Sequence, residues 1–201
     1  MIALIDYGAG NLRSVCKALE LVGGDVVITD SPEQIKNADA VVLPGVGNFG
    51  DGMSTLRAKG LEQPILDAVN SGKPFLGICL GMQLLMEGSE EAPDVPGLGV
   101  FKGKVIHFPE GSEKVPHMGW NDISVRSEHK CFKDIVSGDF FYFVHSYYVA
   151  PDSDDVVVAT CSYIHDFAAV IGRDNIFATQ FHPEKSQNKG LTILKNFVDS
   201  I

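Results

Sequence analysis

Basic residues are scarce in this chain. Its 16 Lys and Arg stand against 26 Asp and Glu, a formal net charge of -10, and no Lys/Arg cluster offers a local basic patch. Such a surface repels a phosphate backbone, so no nucleic acid partner is expected. Cysteine is sparse as well: Cys16, Cys79, Cys131 and Cys161 lie far apart, which excludes a disulfide scaffold and paired-cysteine metal spacing. The run from Met1 to Asp6 has no basic n-region or cleavage site, so reduced thiols in the cytoplasm are the expectation. Every apolar run is broken by Gly, Pro or charge before it nears the ~20 residues of a membrane span. A soluble protein with no membrane partner is therefore expected. Repeats, low-complexity tracts and a dividing linker are also lacking, so residues 1–201 are expected to form one domain.

What is present is an alternation of periods. Residues 2–5, 26–28, 40–43 and 74–78 read as short β-rich runs. Between them Leu12, Val15, Cys16, Leu19 and Val22 recur at helical spacing until Gly23-Gly24 stops the pattern, and residues 53–58 and 61–70 also read as helical. Strand and helix in repetition predict an α/β fold, a mostly parallel central sheet flanked by helices. The second half differs. Residues 97–106, 122–125, 140–144, 156–160, 167–171 and 176–180 read as strands with few helices between them, which predicts an antiparallel extension. Residues 188–198 read as a closing helix, with Leu191, Leu194 and Val198 on one stripe.

Cys79 follows an apolar strand in Gly77-Ile-Cys-Leu-Gly81, and a helical pattern follows it. A nucleophile between two close glycines sits on a tight strand-to-helix turn, where larger neighbours would block the strained backbone and an approaching substrate. The helix start is expected to favour thiolate over thiol. Free cysteines are more often buried and inert, so the elbow needs partners before it means catalysis. Pro44-Gly-Val-Gly47 directly follows a strand and can bring peptide N–H groups to the carboxyl edge of the sheet, where open α/β folds bind ligands. His182 and Glu184 stand two apart after another strand, so an extended chain would put imidazole and carboxylate on one face, a base with its orienting partner.

Asp6-Tyr-Gly-Ala-Gly-Asn-Leu-Arg13, with Asp30 closing the next strand, approaches a dinucleotide fingerprint. It fails where Arg13 replaces the third glycine, and Asp6 adds negative charge beside the supposed pyrophosphate. No cofactor is expected there. His107, His117, His129, His145 and His165 lack metal-ligand spacing and read as structural or surface residues. His145, at the end of a strongly β run, lies where polar groups could line a pocket, although a satisfied strand end is the simpler expectation for its side chain.

Pro44-Gly-Val-Gly47, Gly77-Ile-Cys-Leu-Gly-Met-Gln83 and His182-Pro-Glu184, in that order and spacing, resemble the class I (triad) glutamine amidotransferases, whose sheet is flavodoxin-like. Asp6 to Asn11, Pro116-His-Met-Gly-Trp-Asn121, Val144-His-Ser-Tyr147 and His182-Pro-Glu-Lys-Ser186 resemble one branch of that family, glutaminase subunits that serve a (β/α)8-barrel cyclase. The resemblance implies that Cys79 attacks the side-chain amide of glutamine, His182 shuttles the proton and Glu184 orients the imidazolium, releasing glutamate and ammonia. It implies an oxyanion hole from the amide of Leu80 and a peptide N–H at Val46 or Gly47. It also implies substrate contacts at Gly45, Gln83, Ser146 and Tyr147, and a heterodimer interface near Asn11, Trp120, Asn121 and Lys185. No cofactor and no metal are implied. Low activity of the isolated subunit is implied too, and Gly45 and Gly47 would let a loop peptide turn its carbonyl into the oxyanion site. A glutaminase subunit of another synthase, making anthranilate or aminodeoxychorismate, stays open, though Trp120-Asn121 and Lys185-Ser186 weigh against it. So does a dinucleotide-binding or regulatory module at the Gly8-Ala-Gly10 turn.

Overall fold

A computed structural model describes residues 1–111 and 113–201. In chain order the elements are β1 (Ile2–Ile5), α1 (Leu12–Leu21), β2 (Val26–Thr29), α2 (Pro32–Asn37), β3 (Ala40–Leu43), α3 (Phe49–Ala58), α4 (Glu62–Asn70), β4 (Phe75–Ile78), α5 (Leu80–Gln83) and β5 (Met86–Ser89). There follow β6 (Phe101–His107), β7 (His117–Asp122), β8 (Ser124–Val125), β9 (Phe140–His145), β10 (Tyr147–Pro151), β11 (Val157–Tyr163), β12 (His165–Arg173), β13 (Ile176–Thr179) and α6 (Gln187–Val198).

The large sheet runs β2-β1-β3-β4-β13-β12-β10-β6-β5, with β11 and β8 joined beyond β12. From β2 to β13 every pairing is parallel, and from β13 through β12 and β10 to β6 the pairings are antiparallel. β7 and β9 form a separate antiparallel pair. β1, β3, β4 and β13 are buried on both faces, so these strands run apolar without alternation, whereas the edge strand β2 leaves Ile28 exposed. Ile2, Leu4, Val42 and Leu76 meet Val15 and Leu19 of α1 and Leu194 and Phe197 of α6. Ala3, Ile5, Val41 and Phe75 meet Ile35, Met53, Leu56 and Ile65 of α2, α3 and α4 on the other side. No helix among the described residues is long and apolar enough to cross a membrane.

The expected alternation of strand and helix holds along the first half, and several segments differ from expectation, among them β5, β7 and β10, which form where no strand was expected. Residues 97–106 are not one strand: residues 97–100 fold back so that the amides of Leu98 and Val100 donate to the carbonyls of Leu84 and Leu85, and pairing starts only at Phe101. Residues 122–125 are not one strand either. Asp122 closes β7 in the small sheet, buried Ile123 crosses over, and Ser124–Val125 joins β11 in the large one. The helix expected after Cys79 is a single turn, Leu80–Gln83, too short for a full helix dipole to act on the sulfur. α2 lies in a stretch to which the sequence reading assigned no element, started by the Ser31 side chain accepting from the Gln34 amide and by Pro32 in its first turn.

Candidate active site

Three neighbouring parallel strands, β3, β4 and β13, end side by side, and each delivers one part of the site from its carboxyl end. The loop Pro44 to Gly47 leaves β3, Cys79 leaves β4, and Gln180, His182 and Glu184 follow β13. The amide of Cys79 donates to the carbonyl of Thr179 at 2.7 Å, which locks the cysteine turn to β13.

Cys79 has φ +54° and ψ -110°. A β-carbon strains that region, so the neighbouring contacts must impose it. Gly81 is the main one: a Cβ there would lie 1.8 Å from the carbonyl oxygen of Leu43, so only glycine lets the turn pack onto the end of β3. Cys79 is buried, with 7% exposure. Gln180 Nε2 donates to its sulfur at 3.8 Å, the long end of an N–H···S contact.

His182 Nδ1 and Glu184 Oε1 are 2.9 Å apart, both side chains nearly sealed from solvent. The expected strand alternation does not produce this pair. β13 stops at Thr179, and Glu184 reaches the ring from a single 3-10 turn, Pro183–Lys185. Ser186 fixes that turn, its hydroxyl donating to the His182 carbonyl at 2.6 Å and accepting from the Tyr142 amide at 3.0 Å. Burial pulls the imidazole pKa down, but the Cys79 sulfur and the Glu184 carboxylate outweigh it and raise the ring above its ordinary value. His182 Nε2 and Glu184 Oε2 are left without hydrogen-bond partners. The unpartnered Nε2 is the atom a base would turn to substrate and sulfur.

The amide of Leu80 donates to the carbonyl of Gly45 at 3.3 Å. The expected oxyanion hole is therefore filled by a backbone oxygen. Gly45 is wedged: a Cβ would lie 2.2 Å from the Tyr7 hydroxyl and 2.9 Å from Leu80 Cβ. Val46 is 43% exposed, and Gly47 has φ +105°. Gln83 is buried, and its amide nitrogen donates to the Tyr147 carbonyl at 2.9 Å and to Gln180 Oε1 at 3.0 Å. With both hydrogens committed, its carbonyl oxygen is the part open to a ligand's N–H. Ser146 and Tyr147, at the junction of β9 and β10, are half-buried.

The expected interface residues separate. Trp120, 46% exposed, lies edge-on to Tyr142 with centroids 6.2 Å apart, and the Lys185 ammonium stands 5.9 Å from the same ring. Asn121 instead turns inward, donating to the Ser162 carbonyl and meeting His117 Nε2 at 3.2 Å. Asn11 caps α1, accepting from the Ser14 amide at 3.3 Å. In the glycine turn before it, Asp6 Oδ1 accepts from the Gly8 amide, and Lys59 donates to Asp30 beyond the end of β2. Sequence reasoning assigned no role to Gln180, Tyr7 or Ser186, and read the buried pair His117 and His145 as structural or surface residues, with His145 placed where polar groups could line a pocket. Only Gln180 carries a local signal, its place two residues before the histidine.

A strained cysteine turn at the carboxyl edge of a parallel sheet, beside a carboxylate-paired histidine, suits acyl transfer through a thiol. The sequence model of the class-I glutamine amidotransferases matches residues 3–201, and the chain belongs to that family. Its relatives include the imidazole glycerol phosphate synthase subunit HisH 1 of Methanococcus maripaludis, 52% identical over 204 residues that span all of both chains. The subunit HisH of Syntrophotalea carbinolica is 53% identical over 99% of this chain and 100% of its own. Among solved structures, a glutamine amidotransferase superposes with TM-score 0.77 at 18% identity over all of both chains. PurLQS from Thermotoga maritima gives 0.76 at 21% over 99% of this chain and 97% of its own. Those two likenesses show the fold.

Proposed function

We propose that this chain is a cytoplasmic glutaminase subunit of imidazole glycerol phosphate synthase, one glutamine amidotransferase domain that pairs with a (β/α)8-barrel cyclase as a heterodimer. It hydrolyses glutamine to glutamate and passes the ammonia through an internal channel to the cyclase. The cyclase combines it with a phosphoribulosyl-formimino-carboxamide ribotide, giving imidazole glycerol phosphate and aminoimidazole carboxamide ribotide for histidine biosynthesis. The Cys79 turn beside the His182–Glu184 pair carries the reading. Full-length identity above 50% to proteins named as subunits of that synthase supports the partner.

Cys79 Sγ attacks the amide carbon of the glutamine side chain, and the carbonyl oxygen takes the negative charge. His182, held as an imidazolium by Glu184, gives its Nε2 proton to the departing nitrogen, and ammonia leaves a γ-glutamyl thioester. Water then attacks the thioester, His182 takes the proton, and glutamate departs with the thiolate restored. The Gln83 carbonyl oxygen and the backbone at Ser146 and Tyr147 hold the amino-acid end. Trp120, Asn121, Lys185 and Asn11 lie at or near the cyclase interface.

The Gly45 carbonyl on the Leu80 amide gives the resting state a mechanical cause. While that oxygen occupies the donor, a substrate oxyanion cannot. Rotation of the Gly45–Val46 peptide would free the Leu80 amide and present a second N–H, at Val46. One such donor is worth roughly 10²–10³-fold in turnover. Glutamate release by the chain alone is therefore expected to be slow, and to rise by about that factor when cyclase and ribotide are both present. Equal rates with and without loaded cyclase would remove the gate, and no glutamate in any mixture would remove the glutaminase.

A further inference from the structure

The Tyr147 carbonyl accepts two hydrogen bonds, from Gln83 Nε2 at 2.9 Å and from His145 Nδ1 at 2.8 Å. A backbone carbonyl can only accept, so this one atom settles the orientation of every side chain linked to it. On one side His145 carries its hydrogen on Nδ1. Burial holds that imidazole neutral, its pKa pushed down to about 3, so its Nε2 accepts from His117 Nδ1 at 3.0 Å. His117, pushed down to about 4 by burial, accepts in turn from Asn121 Nδ2 at 3.2 Å. On the other side, the second hydrogen of Gln83 Nε2 goes to Gln180 Oε1. The amide nitrogen of Gln180 is thereby turned to the Cys79 sulfur, 3.8 Å away.

Gln180 is fully buried and Gln83 nearly so. Burying an amide costs free energy that an apolar side chain of the same size would not, and an N–H to a neutral thiol returns little of it. The same N–H becomes a strong donor when the sulfur is negative. The one-turn helix after Cys79 supplies little dipole, which leaves the His182 imidazolium and the Gln180 N–H as the groups beside the sulfur that favour a thiolate.

We propose that Gln180 is a further catalytic residue, a fixed amide donor that holds Cys79 as the thiolate, and that Gln83, His145 and His117 are positioning residues that keep its N–H on the sulfur. This rests on Cys79 being the nucleophile of the proposed glutaminase. The donor acts twice in each turnover, before attack and again when the thioester releases the sulfur.

The test reads the thiolate without glutamine. The full chain is alkylated with iodoacetamide across a pH series, and modification of Cys79 is followed by peptide mass spectrometry. Cys131 and Cys161, whose thiols burial pushes up to about 12, serve as slow internal standards. In Gln180→Met, which keeps the length and loses the donor, Cys79 alkylation at pH 7 is expected to fall about tenfold, with the profile displaced to higher pH. Gln180→Glu, which also brings negative charge, should fall further. Wild-type profiles in both folded variants would overturn the proposal. A second measurement needs no variant: the ring nitrogen shifts of His145 should report the Nδ1–H tautomer, and an Nε2–H tautomer would break the chain of orientations and overturn it. A wild-type chain whose Cys79 shows the expected Gln180 dependence but never hydrolyses glutamine would sink the glutaminase reading and leave the donor in place.

Discussion

Cys79→Ala is expected to lower glutamine-dependent turnover by at least about 10⁴-fold while leaving the fold and the cyclase's use of added ammonium salts intact. Removing the nucleophile of a catalytic group that acts as a unit takes nearly all of its rate enhancement. The fold should survive because the substitution is small and the strain is unchanged: alanine at φ +54° pays the same β-carbon penalty that cysteine pays there. Stability should therefore shift by no more than about 1 kcal/mol. Ammonia supplied directly bypasses the missing step, so synthesis from ammonium should match wild type. Steady-state assays with each nitrogen source check both halves. Loss of the ammonium-dependent reaction would mean that Cys79 supports the complex and not ammonia release.

Gly81→Ala should be the most damaging small substitution near the site. The new methyl group would lie 1.8 Å from the Leu43 carbonyl oxygen and 2.8 Å from its carbon, and both are backbone atoms of β3 that no rotamer change can move. α5 must lift off the strand, taking the Leu80 amide and the Cys79 turn with it. The expected cost is about 4 kcal/mol or more, which in a chain of this size lowers Tm by roughly 8–16 °C. Gly60→Ala is the comparison. A Cβ there meets nothing within 4 Å, so only the strain of φ +67° opposes it, about 1 kcal/mol. Thermal melts of the two variants check the contrast, and equal melting points would show that the turn is not held by contact with β3.

The first half of the fold was legible because β1, β3 and β4 are fully buried apolar runs set among helical patterns, so local period and apolar runs suffice. The second half depends on pairings between distant residues. β7 begins after Pro116 and contains Gly119, both strand-breaking signals, yet it forms because β9 offers a partner in register from His145 to Phe140. The Cys79 turn was legible for the same local reason, since Gly77 and Gly81 are both needed for close approach. His182 and Glu184 were legible as a pair, but their geometry comes from a 3-10 turn pinned by Ser186, which strand spacing does not describe. Tyr7 and the His117–His145 pair became visible only with the strands assembled. His117 and His145 are 28 residues apart and meet only because β7 and β9 are in register.

Covalent trapping tests the central claim most directly. The chain, with loaded cyclase present, is mixed with isotopically labelled glutamine, quenched in acid within a turnover and digested for mass spectrometry. A γ-glutamyl group on the peptide that carries Cys79, absent from Cys79→Ala, is the expected result. Label on another residue, or glutamate formed at wild-type rate with no covalent adduct, would contradict the account.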